Sequence, residues 1–162
     1  MTMAPMISII DDDPFVRTAT DGLVRSLGYR ATTFASAEEF LQSDRINDTS
    51  CVITDVQMPG LGGVELQSLL VARGNCTPMI FITAFPEEKV RARVLEAGAI
   101  GFLSKPFDEE HLIERLQTAL RATTAQAWNN NKRCNMVAAF LCCILIIGEC
   151  RLWVDAVEKV EN

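Results

Sequence analysis

No basic start followed by an apolar core opens this chain, because Ile7 to Ile10 runs straight into Asp11, Asp12 and Asp13. A secretory signal peptide is therefore not expected. The six cysteines (Cys51, Cys76, Cys134, Cys142, Cys143 and Cys150) lack paired C-x-x-C spacing, so no metal is inferred from them. Without an export signal they are expected to be reduced thiols. A glycine-rich loop that would cradle a nucleotide is missing too. Basic charge is scarce: 15 basic against 21 acidic residues give a formal net charge of −6. Before Ala122 the count is 11 basic and 17 acidic, and after it four of each. All the excess acid thus lies in the first part, which argues against a nucleic-acid surface there, since such surfaces are usually basic. A length of 162 residues suits one ordinary domain plus an appendage.

What is there is a tight alternation of short apolar runs and helical patterns. Met6 to Ile10, apolar but for one serine and flanked by turn chemistry, reads as a buried strand. Asp13 as N-cap and Pro14 as first helical residue open a helix to about Leu27, with Val16, Ala19, Thr20, Leu23 and Leu27 on one face. Gly28 closes it from the left-handed position. Arg30 to Phe34 is the second strand, and Ser36 caps a short helix from Ala37 to about Ser43, with Glu39 completing a capping box. Cys51 to Thr54 is the third strand and delivers Asp55 at its carboxyl end. Met58-Pro59-Gly60 and Gly62-Gly63 then force a turn before a helix over Val64 to Ala72, which ends at Gly74.

Pro78 starts a strand over Met79 to Thr83, and Pro86-Glu87-Glu88 opens a fourth helix that stops at Gly98. Ile100 to Leu103 is a fifth short strand, followed by Ser104-Lys105-Pro106-Phe107. Asp108 caps the last helix, whose buried stripe is Leu112, Ile113, Leu116 and Leu120, with Phe107 and Leu112 placed as a hydrophobic staple. Five such βα units imply an α/β fold, a five-stranded parallel sheet with helices on both faces.

In an open parallel sheet, chemistry collects outside the carboxyl ends of the strands. Four strands place polar residues there: Asp11 and Asp12, Asp55, Thr83, and Lys105. Taken singly, each has an ordinary explanation as a turn aspartate, a β-branched strand residue or a solvated lysine. Together they make a specific set. Three converging carboxylates repel one another and need a cation, and all-oxygen ligation at an open site suits Mg2+. A carboxylate beside such an ion is able to attack phosphorus and form an aspartyl phosphate. The lysine ammonium and the metal would neutralise the oxygens of the transferring group, and a threonine hydroxyl would donate to them.

Ile10-Asp11-Asp12-Asp13, Asp55-Val56-Gln57-Met58-Pro59-Gly60, Phe81-Ile82-Thr83-Ala84 and Lys105-Pro106-Phe107 together resemble the receiver domain of two-component response regulators. The likeness covers about Met6 to Arg121, and LQTALRA and TPMIFITAF are most similar to the FixJ-like subgroup. It implies a flavodoxin-like (βα)5 fold and a phosphoryl group accepted on Asp55 from a sensor histidine kinase. It also implies Mg2+ held by Asp12, Asp55 and the Gln57 carbonyl, with Asp11 acting through water, and Thr83 and Lys105 on the phosphoryl oxygens. The Lys105–Pro106 bond is expected to be cis. Phe102 matches the family's aromatic switch position, where many members carry tyrosine. The output implied is protein contact, including a homodimer through the fourth helix, fifth strand and fifth helix, without metabolic turnover. Phe85 would shield the acyl phosphate from water.

Two other readings stand beside it. Asp11-x-Asp13 mimics the first motif of haloacid-dehalogenase-type phosphohydrolases, but that leaves Asp55 without a role and gives no room for a cap. The same fold also serves as an unphosphorylated interaction module.

The domain is expected over 1–122, a polar linker over 123–133 and a tail over 134–162 whose apolar segment, 136–148, reads as a helix. Such a helix would span roughly 20 Å against a hydrocarbon core of about 30 Å. Lys132, Arg133, Trp128 and Trp153 flank it as they would a membrane anchor with the domain in the cytoplasm. A packing or dimer helix, or an aberrant C-terminus without a role, are the alternatives. About 40 residues after the domain are too few for a helix-turn-helix unit and show no recognition-helix pattern, so direct DNA binding is not expected.

Overall fold

The computed structural model describes residues 3–126. Strands β1 (Met6–Ile10), β2 (Arg30–Phe34), β3 (Thr49–Asp55), β4 (Met79–Thr83) and β5 (Gly101–Ser104) alternate with helices α1 (Pro14–Ser26), α2 (Ala37–Gln42), α3 (Gly63–Ala72), α4 (Glu88–Glu96) and α5 (Glu109–Gln126). Every strand pairing is parallel, and the order across the sheet is β2-β1-β3-β4-β5. The chain steps from β1 to β2 on one side and then returns to lay β3 on the other. The reversal puts a crevice between the carboxyl ends of β1 and β3, which is where such sheets bind ligands.

The central strands β1, β3 and β4 are mostly apolar because both of their faces are covered. Ile7, Ile9, Cys51, Ile53, Ile80 and Ile82 meet Val24 of α1 and Leu112, Leu116 and Ala119 of α5. Their neighbours Ile10, Val52, Met79 and Phe81 face the other way, onto Phe40 of α2, Leu66 and Leu70 of α3 and Val94 of α4. Period-two alternation along each strand therefore builds two cores from one sheet. Ser8, the lone polar residue in β1, is fully buried and bonded to the Thr49 hydroxyl at 2.7 Å. Thr49 already donates its proton to the Arg45 carbonyl at 2.6 Å, so Ser8 is the donor of the pair.

Local signals set most element ends. The Asp13 side chain accepts from the Phe15 amide at 2.8 Å with Pro14 in the first turn, and Gly28 leaves α1 at φ +84°. Several details differ from the sequence expectation. The buried face of α1 centres on Thr20 and Val24, while Ala19 is exposed, because Val24 is the residue that reaches the sheet. At α2 the Ser36 hydroxyl accepts from Glu39 N, but Glu39 returns its bond to the Ala35 amide rather than to Ser36. Helix α4 begins at Glu88, with Glu87 as its cap, and β3 starts two residues earlier than the apolar run that marked it.

Helix α5 stays helical through Gln126, four residues into the stretch read as linker. The rest of that linker and the apolar tail segment fall outside the described residues. No helix among the described residues is long and apolar enough to cross a membrane. Of the two described cysteines, Cys51 is a buried free thiol, whereas Cys76 is disulfide-bonded, against the expectation of thiols throughout.

Leu116 is 1 % exposed at the centre of the α5 stripe. Leu116→Ala is expected to cost about 3 kcal/mol, from lost transfer energy plus the cavity left behind. A urea titration should show a lower midpoint with an unchanged slope. A loss well under 1 kcal/mol would mean that α5 does not anchor this face.

Candidate functional site

Three loops meet at the crevice. Asp11 follows β1 directly and is 3 % exposed, Asp55 ends β3 at 6 %, and Asp12 is exposed. Oxygens of these three carboxylates lie within 4.8 Å of one another. Lys105 follows β5, and its side chain passes the end of β4 to reach two of them. Its Nζ donates to Asp11 Oδ2 at 2.9 Å and to Asp55 Oδ2 at 2.5 Å. The second oxygen of each buried acid takes a backbone amide two residues on: Asp13 N to Asp11 Oδ1 at 2.9 Å, and Gln57 N to Asp55 Oδ1 at 3.0 Å. Both acids therefore use the same local Asx turn, with the ammonium between them.

Burial pushes the Asp11 carboxyl above the ordinary carboxylate range. The Lys105 hydrogen bond, the Asp13 amide and the lysine charge oppose that shift, and the Asp55 charge reinforces it. Burial by itself would lower Lys105, but hydrogen bonds and charge attraction from Asp55 and Asp11 outweigh it, so its pKa is raised.

The remaining predicted residues surround this centre. Thr83 is fully buried, and its hydroxyl is held in a turn with Phe85, accepting from the Phe85 amide at 3.1 Å. Its carbonyl accepts from Lys105 N at 2.7 Å, which ties the lysine loop to β4. Lys105–Pro106 is cis. Gln57 is exposed just past Asp55. Phe102 pairs in register with Phe81 and packs against the core under α3 and α4. Phe85 is 67 % exposed.

Helix α3 comes close behind the acid. A Cβ on Gly63 would stand 2.3 Å from the Asp55 carbonyl oxygen, a backbone atom that has no room to retreat, so only glycine fits there. Two further contributors had no signal in the sequence. Arg17 Nη1 donates to the Asp11 carbonyl, and Glu38 Oε1 accepts from the Leu61 amide at 2.9 Å. Arg17 reaches back six positions from α1 to the loop before it, whereas Glu38 is bonded to a loop 23 positions away, a partner that no local pattern marks.

The donor set is all oxygen and partly open to water. It suits a hard divalent cation such as Mg2+ and offers no soft ligand to zinc or copper. In the metal-free protein, Asp11→Asn should raise stability at neutral pH. The folded pKa of Asp11 lies above its unfolded value, so the cost of its charge is present above the folded pKa and absent below the unfolded one. The gain should accordingly shrink as the pH falls through the raised folded pKa and be gone below about 4, the ordinary aspartate value. Thermal melts in EDTA across that range check it, and a pH-independent difference would contradict the desolvation argument.

A family model described as the response regulator receiver domain matches residues 7–117. The response regulator protein TmoT of Ectopseudomonas mendocina is 39 % identical over 124 residues, covering 76 % of this chain and 56 % of that protein. The transcriptional regulatory protein FixJ of Bradyrhizobium diazoefficiens is 33 % identical over 121 residues, covering 75 % and 59 %. The chain thus spans little more than half the length of these relatives. Among solved structures, the response regulator StyR superposes with a TM-score of 0.73 at 35 % identity, over 80 % of this chain and 66 % of that one. The FixJ-N crystal structure gives 0.66 at 29 %, over 74 % and 96 %. With the acid trio, the bridging lysine and the switch-point crevice all inside the matched span, the chain belongs to the receiver domain family of response regulators.

Proposed function

We propose that this chain is a phosphorylation-activated switch in a two-component system, with Asp55 as acceptor and a sensor histidine kinase as donor. The observation that carries the proposal is the Lys105 ammonium bridging Asp11 and Asp55 beside Asp12. An Asp55 oxygen attacks phosphorus, the new P–O bond forms as the phosphohistidine P–N bond breaks, and the imidazole leaves with that electron pair. Lys105 and the Thr83 hydroxyl take up phosphoryl oxygens, and Asp55 needs no general base because it reacts as a carboxylate. Asp12, Asp55 and the Gln57 carbonyl, with Asp11 through water, would hold Mg2+, which would supply charge neutralisation at the transferring group.

The response is a repacking. Capture of the Thr83 hydroxyl by the phosphoryl group competes with its present turn to Phe85. Phe102, which has no hydroxyl of its own, follows by packing alone. The change reaches the α4-β5-α5 face, through which the protein contacts its partner or a second copy. Phe85, exposed two residues past Thr83, slows hydrolysis of the acyl phosphate. The protein acts in the cytoplasm, where its kinase partner presents phosphohistidine, and turns over no metabolite.

Acetyl phosphate with Mg2+ should add one phosphoryl mass to the intact protein, and Asp55→Asn should abolish the addition. A folded, Mg2+-binding wild type that gains no mass would move the reading to an unphosphorylated interaction module. Crystal structures with and without a phosphoryl mimic should differ at both Thr83 and Phe102, and two unmoved side chains would sink the switch.

A further inference from the structure

The loop after Asp55 has to hold its shape with few internal bonds. Val56 N is fixed to the Ile82 carbonyl at 3.0 Å, and Gly63 N closes back onto the Val56 carbonyl at 3.1 Å. Between them, Gln57 N is taken by the Asp55 side chain. Among the described residues, the one hydrogen bond that reaches residues 57–62 from a distant element is Leu61 N to Glu38 Oε1, at 2.9 Å and 23 positions apart in sequence.

The fit between loop and carboxylate is close. Pro59 followed by Gly60 at φ +78° is the pairing a type II turn uses. A Cβ on Gly60 would lie 2.5 Å from Glu38 Oε1, so the bare glycine backbone is also the seat of the carboxylate. Glu38 is not needed for the reciprocal cap of its own helix, because Glu39 supplies that bond to the Ala35 amide. Its carboxyl is held below the ordinary glutamate range by its own backbone amide first and by that of Leu61 next, so it is anionic at neutral pH.

We propose that Glu38 is a positioning residue for the metal site: by holding the Leu61 amide it fixes the Gln57–Leu61 backbone, and with it the Gln57 carbonyl offered to Mg2+. The role rests on the receiver reading above. Glu38 touches neither Asp55 nor Lys105 and acts through the loop alone. Partners that orient a metal's ligands are commonly worth on the order of tenfold in affinity.

The test compares the 162-residue wild-type chain with Glu38→Ala, Glu38→Gln and Glu39→Ala. Mg2+ affinity is read by calorimetry, phosphorylation by acetyl phosphate is followed against Mg2+ concentration, and amide exchange of residues 57–61 is measured without metal. Glu38→Ala should weaken Mg2+ binding about tenfold, raise the Mg2+ needed for half-maximal phosphorylation by the same factor, and speed Leu61 exchange. The rate at saturating Mg2+ should return towards wild type. Glu38→Gln keeps an acceptor oxygen for Leu61 and should stay close to wild type in all three. Glu39→Ala loosens the same helix end and should lower thermal stability while leaving Mg2+ affinity unchanged.

Unchanged Mg2+ affinity in Glu38→Ala, or an equal loss in Glu39→Ala, would overturn the role. Should Glu38→Ala fail to fold, Glu38→Asp, one methylene short of the Leu61 amide, is read in its place. A wild type that binds Mg2+ but takes no phosphoryl group would end the phosphotransfer reading, and the calorimetry would still decide Glu38.

Discussion

The carboxyl end of the sheet depends on one ammonium group. Asp11 and Asp55 are both buried there, and two carboxylates about 5 Å apart repel by about 3 kcal/mol at an effective dielectric of 20. Lys105 Nζ, within hydrogen-bond reach of both, turns that repulsion into two charge-assisted bonds. The pairing spans 94 and 50 residues of sequence and joins the first, third and fifth strands. Desolvation raises Asp11, and hydrogen bonds and charge attraction from the two acids raise Lys105 against its own desolvation. A site so arranged is ready for added charge: a metal cation can share the acids, and an incoming anion can share the lysine.

Rigid support comes from behind and from the sides. The apolar strands fix the acid positions because alternate residues lock into two separate cores. Gly63 lets α3 press against the Asp55 carbonyl. Arg17 holds the backbone of the Asp11 loop and Glu38 holds that of the Asp55 loop, each by a single side-chain bond. The loop carrying Thr83 and Phe85 is held differently, by a turn of its own, and Phe85 stands in solvent.

Membership of the receiver family fixes what kind of module this is, and the relatives show how such a module is used within longer proteins. TmoT and FixJ are each covered by this chain to less than two thirds. On its surface α4 displays Lys89, Arg91 and Arg93, and α5 opens with Glu109 and Glu110.

The sequence by itself determined the order of elements, the parallel sheet and the set of strand-end residues. These follow from signals carried within a few positions: apolar runs of strand length, Asp13 before Pro14, Ser36 before Glu39, and glycines at helix ends. It also brought together Asp11, Asp12, Asp55, Thr83 and Lys105, because a parallel sheet sends every strand end to the same side. Tertiary structure decided the rest. Which face of α1 is buried turned on Val24, since the helix pattern admits several stripes and only the sheet selects one. Lys105 binding two acids at once and Glu38 on Leu61 depend on strand order and loop placement, which bring residues far apart in sequence within 3 Å. Local spacing sets helices and strands because their bonds link near neighbours, whereas a side chain bonded across the sheet has its partner chosen by the fold.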